Sequence, residues 1–293
     1  MIALKTKETA QKAPSAARKE LVFISPELAA EWLAKSIGNR PMMKRQIDRL
    51  VREIKAGRWN PEASEIRLSD ADRLIDGHHR LTAIVRSGIG VWQWVAFGCR
   101  LDTVSVIDTG VTRTNSGQRA MLGEENAKLK TSVLNAVSLM IAKQHVVLSK
   151  AEQDELGEQL GAETLTESIA WGHSCAAESF SSPAFVAGAL AVLVKTWPES
   201  IDFARRVVSA NGEKGEPSRE LARWLVTSRS RGGLGVREEI AQRVASAYAA
   251  HSAGLERRYI RKASSALGSL RSAARLGWAK AFWESVRSET ETE

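Results

Sequence analysis

The sequence predicts an α+β protein: a small mixed sheet packed with helices in the first part of the chain, followed by an all-α C-terminal domain. Three observations lead there. Short apolar or alternating runs at Leu21–Ile24, Glu65–Leu68, Arg73–Ile75 and Val91–Phe97 read as strands. Apolar residues at helical spacing, such as Ile47, Leu50, Val51 and Ile54, lie between those runs. Beyond Glu124 the pattern is helical almost throughout. The expected organisation is a basic tail over 1–19, a sheet-containing domain over 20–122, a helical domain over 123–287 and an acidic tail over 288–293.

Each element has a local reason. Ser25 before Pro26 and Glu27 is a helix start, with Leu28, Trp32 and Leu33 on the buried side and a break over Gly38–Pro41. The next helix is expected over Met43–Ala56, stopped by Gly57. Arg45, Arg49 and Arg52 recur on its other faces and read as a solvated stripe laced with Asp48 and Glu53. The strands at Glu65–Leu68 and Arg73–Ile75 are close enough to form a hairpin. Asp76 and Gly77 then turn sharply into a helix carrying Leu81, Ile84 and Val85, which Gly88 ends. Trp92 and Trp94 share one face of the following strand and are expected to cover the packed helices, base stacking being the alternative. Thr114 can cap a helix carrying Gln118 and Arg119, and Ser149-Lys150-Ala151-Glu152 is a capping box. The run opened by Pro183, apolar on most sides over Phe185–Thr196, is expected to be the central helix of the back domain.

Composition narrows the partners. The chain has 293 residues, a formal charge of +8 and a pI near 9.7, which favours an anionic partner. Two distant cysteines, Cys99 and Cys175, lack metal-ligand spacing and point to a reducing cytoplasm. No apolar run is long enough to span a bilayer, so no membrane partner is expected. Much of the positive charge falls in the last third. There Arg257, Arg258, Arg261 and Lys262, then Arg271 and Arg275, mix with Tyr259, Trp278 and Trp283. That mixture resembles a DNA-binding footprint, and solvated helix faces explain it equally well. The Gly-rich link near Gly232 allows a helix-turn-helix.

The stretch Arg73–Gly88 carries the chemistry. A strand that turns through glycine into a helix aims backbone N–H groups and the positive end of the helix dipole at one spot, which suits an anion. His78, His79 and Arg80 occupy the first helical turn, and Arg80 can grip two phosphate oxygens at once. The turn therefore reads as a phosphate cradle. Its structural alternative is a tight turn whose histidines cap the helix and whose arginine pairs with a carboxylate.

The succession helix, strand, strand–turn–helix and strand, with Asp76-Gly77-His78-His79-Arg80-Leu81, resembles the N-terminal domain of the ParB/sulfiredoxin superfamily. It is most similar to the D-G-Q-H-R-L type of ParB-like proteins found in bacteriophage and bacterial genomes. Asn39-Arg40-Pro41, Gly57-Arg58-Trp59, and Ile107-Asp108-Thr109-Gly110 with Arg113-Thr114 complete the likeness. The resemblance implies a nucleoside triphosphate, ATP or CTP with Mg2+, held by Asp76, Gly77, His78, His79 and Arg80. It adds Arg45, Arg49, Thr109 and Arg113 as further phosphate contacts. Asp108 either holds a metal-bound water or a ribose, or pairs with Arg113 or Arg80 and fixes its loop.

Departures from the family limit the chemistry. Sulfiredoxin has a cysteine where His78 stands, so sulfinic acid reduction is excluded. The partition proteins have Gly-Glu-Arg-Arg at this turn, and only Gly77 and Arg80 match. Three functions remain open. One is a nucleotide-binding, DNA-associated protein, with a homodimer allowed. Another is a metal-dependent nuclease, NTPase or phosphotransferase with His79 as general base and Asp108 as a magnesium ligand. The last is a non-catalytic phage or plasmid regulator.

Overall fold

The computed structural model describes residues 18–36, 42–100, 114–228 and 234–290, with the side chains of 288–290 left out. The chain divides into two compact units, Met1–Thr112 and Arg113–Glu293. The expected break over Gly38–Pro41 and the link at Gly232 lie outside the described residues.

The first unit runs β1 (Arg18–Ile24), α1 (Pro26–Ala34), α2 (Lys44–Lys55), β2 (Ile66–Ser69), β3 (Leu74–Asp76), α3 (His78–Ser87) and β4 (Val91–Cys99), with a short 3-10 turn at Pro61–Ala63. The sheet order is β1-β4-β2-β3. β1 pairs antiparallel with β4, setting Leu21 opposite Trp94 and Phe23 opposite Trp92. β2 runs parallel to β4 and forms the expected hairpin with β3. Ser25 caps α1 by accepting from the Leu28 N–H, as its position predicts. One core joins Ile24, Ile66, Leu68 and Val95 of the sheet to Trp32, Ile47, Leu81 and Ile84 of the helices.

Three expectations need correction here. β1 starts at Arg18, so Arg18 and Lys19 belong to the sheet and not to a tail. Trp92 and Trp94 do not cover the helices. Strand alternation sends Val91, Gln93 and Val95 into the core, which leaves Trp92 on the open face at 55% exposure and Trp94 half-buried. The α2 stripe is not solvated throughout either. Arg52 is buried, as is Asp48, which pairs with Arg86 at 2.8 Å.

The second unit is helical: α4 (Asn115–Met121), α5 (Ala127–Ala142), α6 (Lys150–Leu160), α7 (Ala162–Ala177), α8 (Pro183–Thr196), α9 (Ile201–Val208), α10 (Pro217–Thr227), α11 (Leu234–Ser252), α12 (Ser264–Leu276) and α13 (Lys280–Thr290). The Thr114-capped α4 packs on α5, so the division falls before α4 and not at the expected 122/123. α8 is the central helix: every residue from Phe185 to Val194 is buried, and α5, α7, α11 and α12 surround it. Gly188 lets α5 approach closely, since a Cβ there would stand 2.6 Å from the Ala136 Cβ. The capping box of Ser149 and Glu152 opens α6. α11 is buried along most of its length from Ile240 onward, which makes it a bundle helix and not a free recognition helix. Among the described residues no helix is long and apolar enough to cross a membrane.

Several arginines of this unit are structural. Arg271 forks onto Glu238 at 2.7 and 3.0 Å and donates to the Met140 carbonyl. Arg275 donates to the Ile141 carbonyl and lies 3.8 Å from the Trp283 ring centre, while Trp278 donates to Thr196. These residues leave the expected nucleic-acid footprint because they are spent on helix packing. Arg119 is fully buried, 2.9 Å from Glu124 and 2.6 Å from Asp154. Hydrogen bonds from Lys130 and then Arg119 hold the Glu124 carboxyl down at about 2, against the opposing effect of burial.

A carboxyl depressed from 4.5 to about 2 contributes stability that is complete above pH 4.5 and lost as pH falls toward 2. Glu124→Gln is therefore expected to lower the urea midpoint at neutral pH. It should also flatten the loss of stability between about pH 4.5 and pH 3, read from unfolding curves across that window.

Candidate functional site

The site is built on a change of element. β3 ends at Asp76, and Gly77, the residue between it and α3, has φ at 115°, a left-handed conformation that side chains rarely adopt. A Cβ on Gly77 would stand 2.7 Å from Cγ1 of Ile66 in β2. Both the angle and the contact demand glycine. No side chain caps the start of α3 and no acidic residue lies in its first turn, where His78, His79 and Arg80 sit.

The sequence-predicted residues of the turn come together in a set of hydrogen bonds. Asp76 Oδ1 accepts from the Gly77 N–H at 2.6 Å, and its Oδ2 accepts from Arg80 Nη2 at 2.8 Å. Arg80 is thus paired with a carboxylate, through one of its terminal nitrogens, and its side chain is 14% exposed. His78 Nδ1 lies 3.1 Å from Ser36 Oγ. His79 Nε2 accepts from the Met43 N–H at 3.1 Å. That acceptor role commits the Nε2 lone pair, so this geometry does not offer it to a substrate proton as a general base must.

A cleft of about 400 Å³ opens beside the turn, lined by Ala34, Lys35, Ser36, Ala71, Asp72 and Arg73. Its volume is within the range of small-ligand sites. Ser36 belongs to both the cleft and the His78 contact, and it bridges to Leu74 of β3. Lys35 Nζ stands 2.7 Å from Asp72 and 2.9 Å from Glu31. Its hydrogen bonds to Asp72, then Glu31, push its pKa up and keep it charged. Nothing in the local sequence marks Lys35 or Ser36, because only the bridge to β3 brings the end of α1 beside the turn. Arg73 reads in sequence as the first strand residue and stands just before β3.

Arg45 is exposed and Arg49 half-buried on α2, which packs against α3. Asp108, Thr109 and Arg113 lie outside the described residues. Among the described residues no group of three or more His, Cys, Asp or Glu is placed to hold a metal. Burial pushes the Cys175 thiol up to about 12, and burial also raises Cys99, so neither is an activated nucleophile.

The basic residues of the second unit have a clearer frame. Arg257, Arg258, Arg261 and Lys262 are all exposed on the loop between α11 and α12. The loop is pinned from beneath. The Arg257 N–H donates to the Gly215 carbonyl at 2.7 Å, Ile260 is buried, and Arg243 donates to the Ile260 carbonyl and the Tyr259 hydroxyl. Tyr259 is thereby a partner of Arg243, whose guanidinium lies 5.0 Å from its ring centre.

Gly77→Ala is expected to cost at least about 2 kcal/mol, from the left-handed backbone and the clash with Ile66 together. Chemical denaturation of the purified variant checks this. An unchanged midpoint would mean that the turn relaxes without cost.

No family model, no curated protein and no solved structure matches this chain.

Proposed function

We propose that this chain is a nucleotide-binding, DNA-associated protein of the ParB-like type, with nucleotide phosphates received at the Asp76–Arg80 turn and DNA met by the basic loop of the helical unit. The observation that carries the reading is the start of α3: a helix opened by glycine, with no side-chain cap, no acid in its first turn, and the Arg80 guanidinium beside two histidines there, Asp76 standing just ahead of it. A phosphate there would meet the dipole of α3 and the guanidinium of Arg80. Asp76 engages that guanidinium through Nη2 alone, and a guanidinium has five donors. The cleft with Lys35 and Arg73 gives room beside the turn for the rest of a nucleotide. Mg2+ would arrive with the triphosphate and offset its charge. The +8 charge and the two thiols fit a DNA-associated protein of the cytoplasm.

Calorimetric titration with ATP and CTP, with and without Mg2+, tests the first half. The wild type should bind one of them, and Arg80→Ala should weaken it at least about tenfold while costing less than about 1 kcal/mol of stability, the usual scale of an i,i+4 pair. Stability lost without affinity would make Arg80 only the clasp of Asp76.

The DNA half has its own test. Replacing Arg258, Arg261 and Lys262 together by alanine should weaken duplex binding uniformly across sequences and reduce the salt slope by up to about three, roughly one per lost phosphate contact. An unchanged slope would leave the loop as a solvated surface.

A further inference from the structure

The open face of the first unit's sheet is not needed by the turn, and it carries the most exposed aromatic residues of that unit. The register fixes its layout in three rows. Phe23 pairs with Trp92, Leu21 with Trp94, and Lys19 with Ala96, which is flanked on its other side by Arg67 of β2. Phe23 is 50% exposed, Trp92 55% and Leu21 45%. The rows lie about 7 Å apart, so the face grades from rings to cations over about 14 Å.

The rings are held in place. Phe23 and Trp92 meet edge-on with centres 5.5 Å apart. Gly90 makes room for Phe23, since a Cβ there would stand 2.6 Å from the ring. Trp59 donates its indole N–H to the Trp92 carbonyl and fixes the strand. At the other end, Lys19 Nζ lies 5.2 Å from the Trp94 ring centre. Glu65 bridges Lys19 at 3.1 Å and Arg67 at 2.7 Å. The register also sets Asp76 opposite Arg67, but that carboxylate is engaged by Arg80, so Glu65 is the one that holds Lys19 and Arg67.

We propose that this face binds single-stranded nucleic acid, with unpaired bases stacking at Phe23 and Trp92 and the backbone phosphates drawn to Lys19 and Arg67. Each base has a π-face for an exposed ring, and phosphate competes with Glu65 for the two cations. Duplex DNA does not fit, because its bases are stacked on one another and closed to a flat sheet. A protein partner fits poorly as well. The face offers about eight side chains, against the 20–30 residues per side of a standard interface, and it ends in charge. The inference does not rest on the phosphate reading of the α3 turn.

The test uses the full chain and fluorescein-labelled oligothymidylate and oligouridylate of about 12 nucleotides, within the range covered by single-strand binding folds. A duplex of equal length serves as comparison. The wild type should bind the single strands, by DNA and RNA alike if stacking and phosphate suffice, by one alone if the sugar is also recognised. Trp92→Ala and Phe23→Ala should each weaken single-strand binding about tenfold and leave duplex binding unchanged. Trp92→Phe should keep most of the affinity while losing part of the tryptophan quenching. Both positions are exposed, so thermal melts should stay close to the wild type. No single-strand binding by the wild type would overturn the proposal, as would equal losses on duplex and single strand. Self-association of the wild type that Trp92→Ala abolishes would overturn it too, by assigning the face to a second copy of this chain.

Discussion

The first unit depends on one contact, the seating of Gly77 against Ile66. Ile66 stands in β2 opposite Val95, in the core between sheet and helices. Because Gly77 has no side chain, the chain can leave β3 and enter α3 directly over that isoleucine. The consequences are local and specific. Asp76 is left at the end of its strand, where it reaches both the Gly77 N–H and Arg80 one helical turn on. His78 is turned toward Ser36 and His79 toward the start of α2. A larger residue at 77 would separate these partners before it changed any other part of the fold.

The second unit is organised by buried charge as much as by apolar packing. Arg119, Arg243 and Arg271 are buried, and each meets a carboxylate as well as further acceptors or rings. A buried guanidinium without such partners would cost several kcal/mol, so these pairings select the helix arrangement. They also change what the net charge means. An excess of eight positive charges reads, in sequence, as a surface for an anion. The part of it still available to a partner is narrower, and in this unit it is clearest in the exposed loop of Arg257, Arg258, Arg261 and Lys262.

Charge and aromaticity separate in the sheet as well. Its covered face is aliphatic, with Ile24, Ile66, Leu68 and Val95. Its open face holds Phe23 and Trp92 at one end and Lys19 and Arg67 at the other. The two faces differ because strand residues alternate, so a single register decides which set meets the helices. Large aromatic side chains left half in water represent unsatisfied apolar surface that a folded domain normally hides.

Elements whose signals are local can be read from the chain alone. The four strands, the cap at Ser25, the glycine that opens α3, the capping box at Ser149 and the apolar helix after Pro183 were all legible, because each depends on residues within a few positions of one another. Tertiary structure alone decided which face of β4 turned inward, since Trp92-Gln93-Trp94 offers bulk on one side and only valines flanking a glutamine on the other. Pairing with β1 and β2 settled that choice. It also decided that Arg52 is buried, and that Lys35 and Ser36 stand beside His78. These outcomes rest on contacts between residues far apart in the chain, and local periodicity carries no record of them.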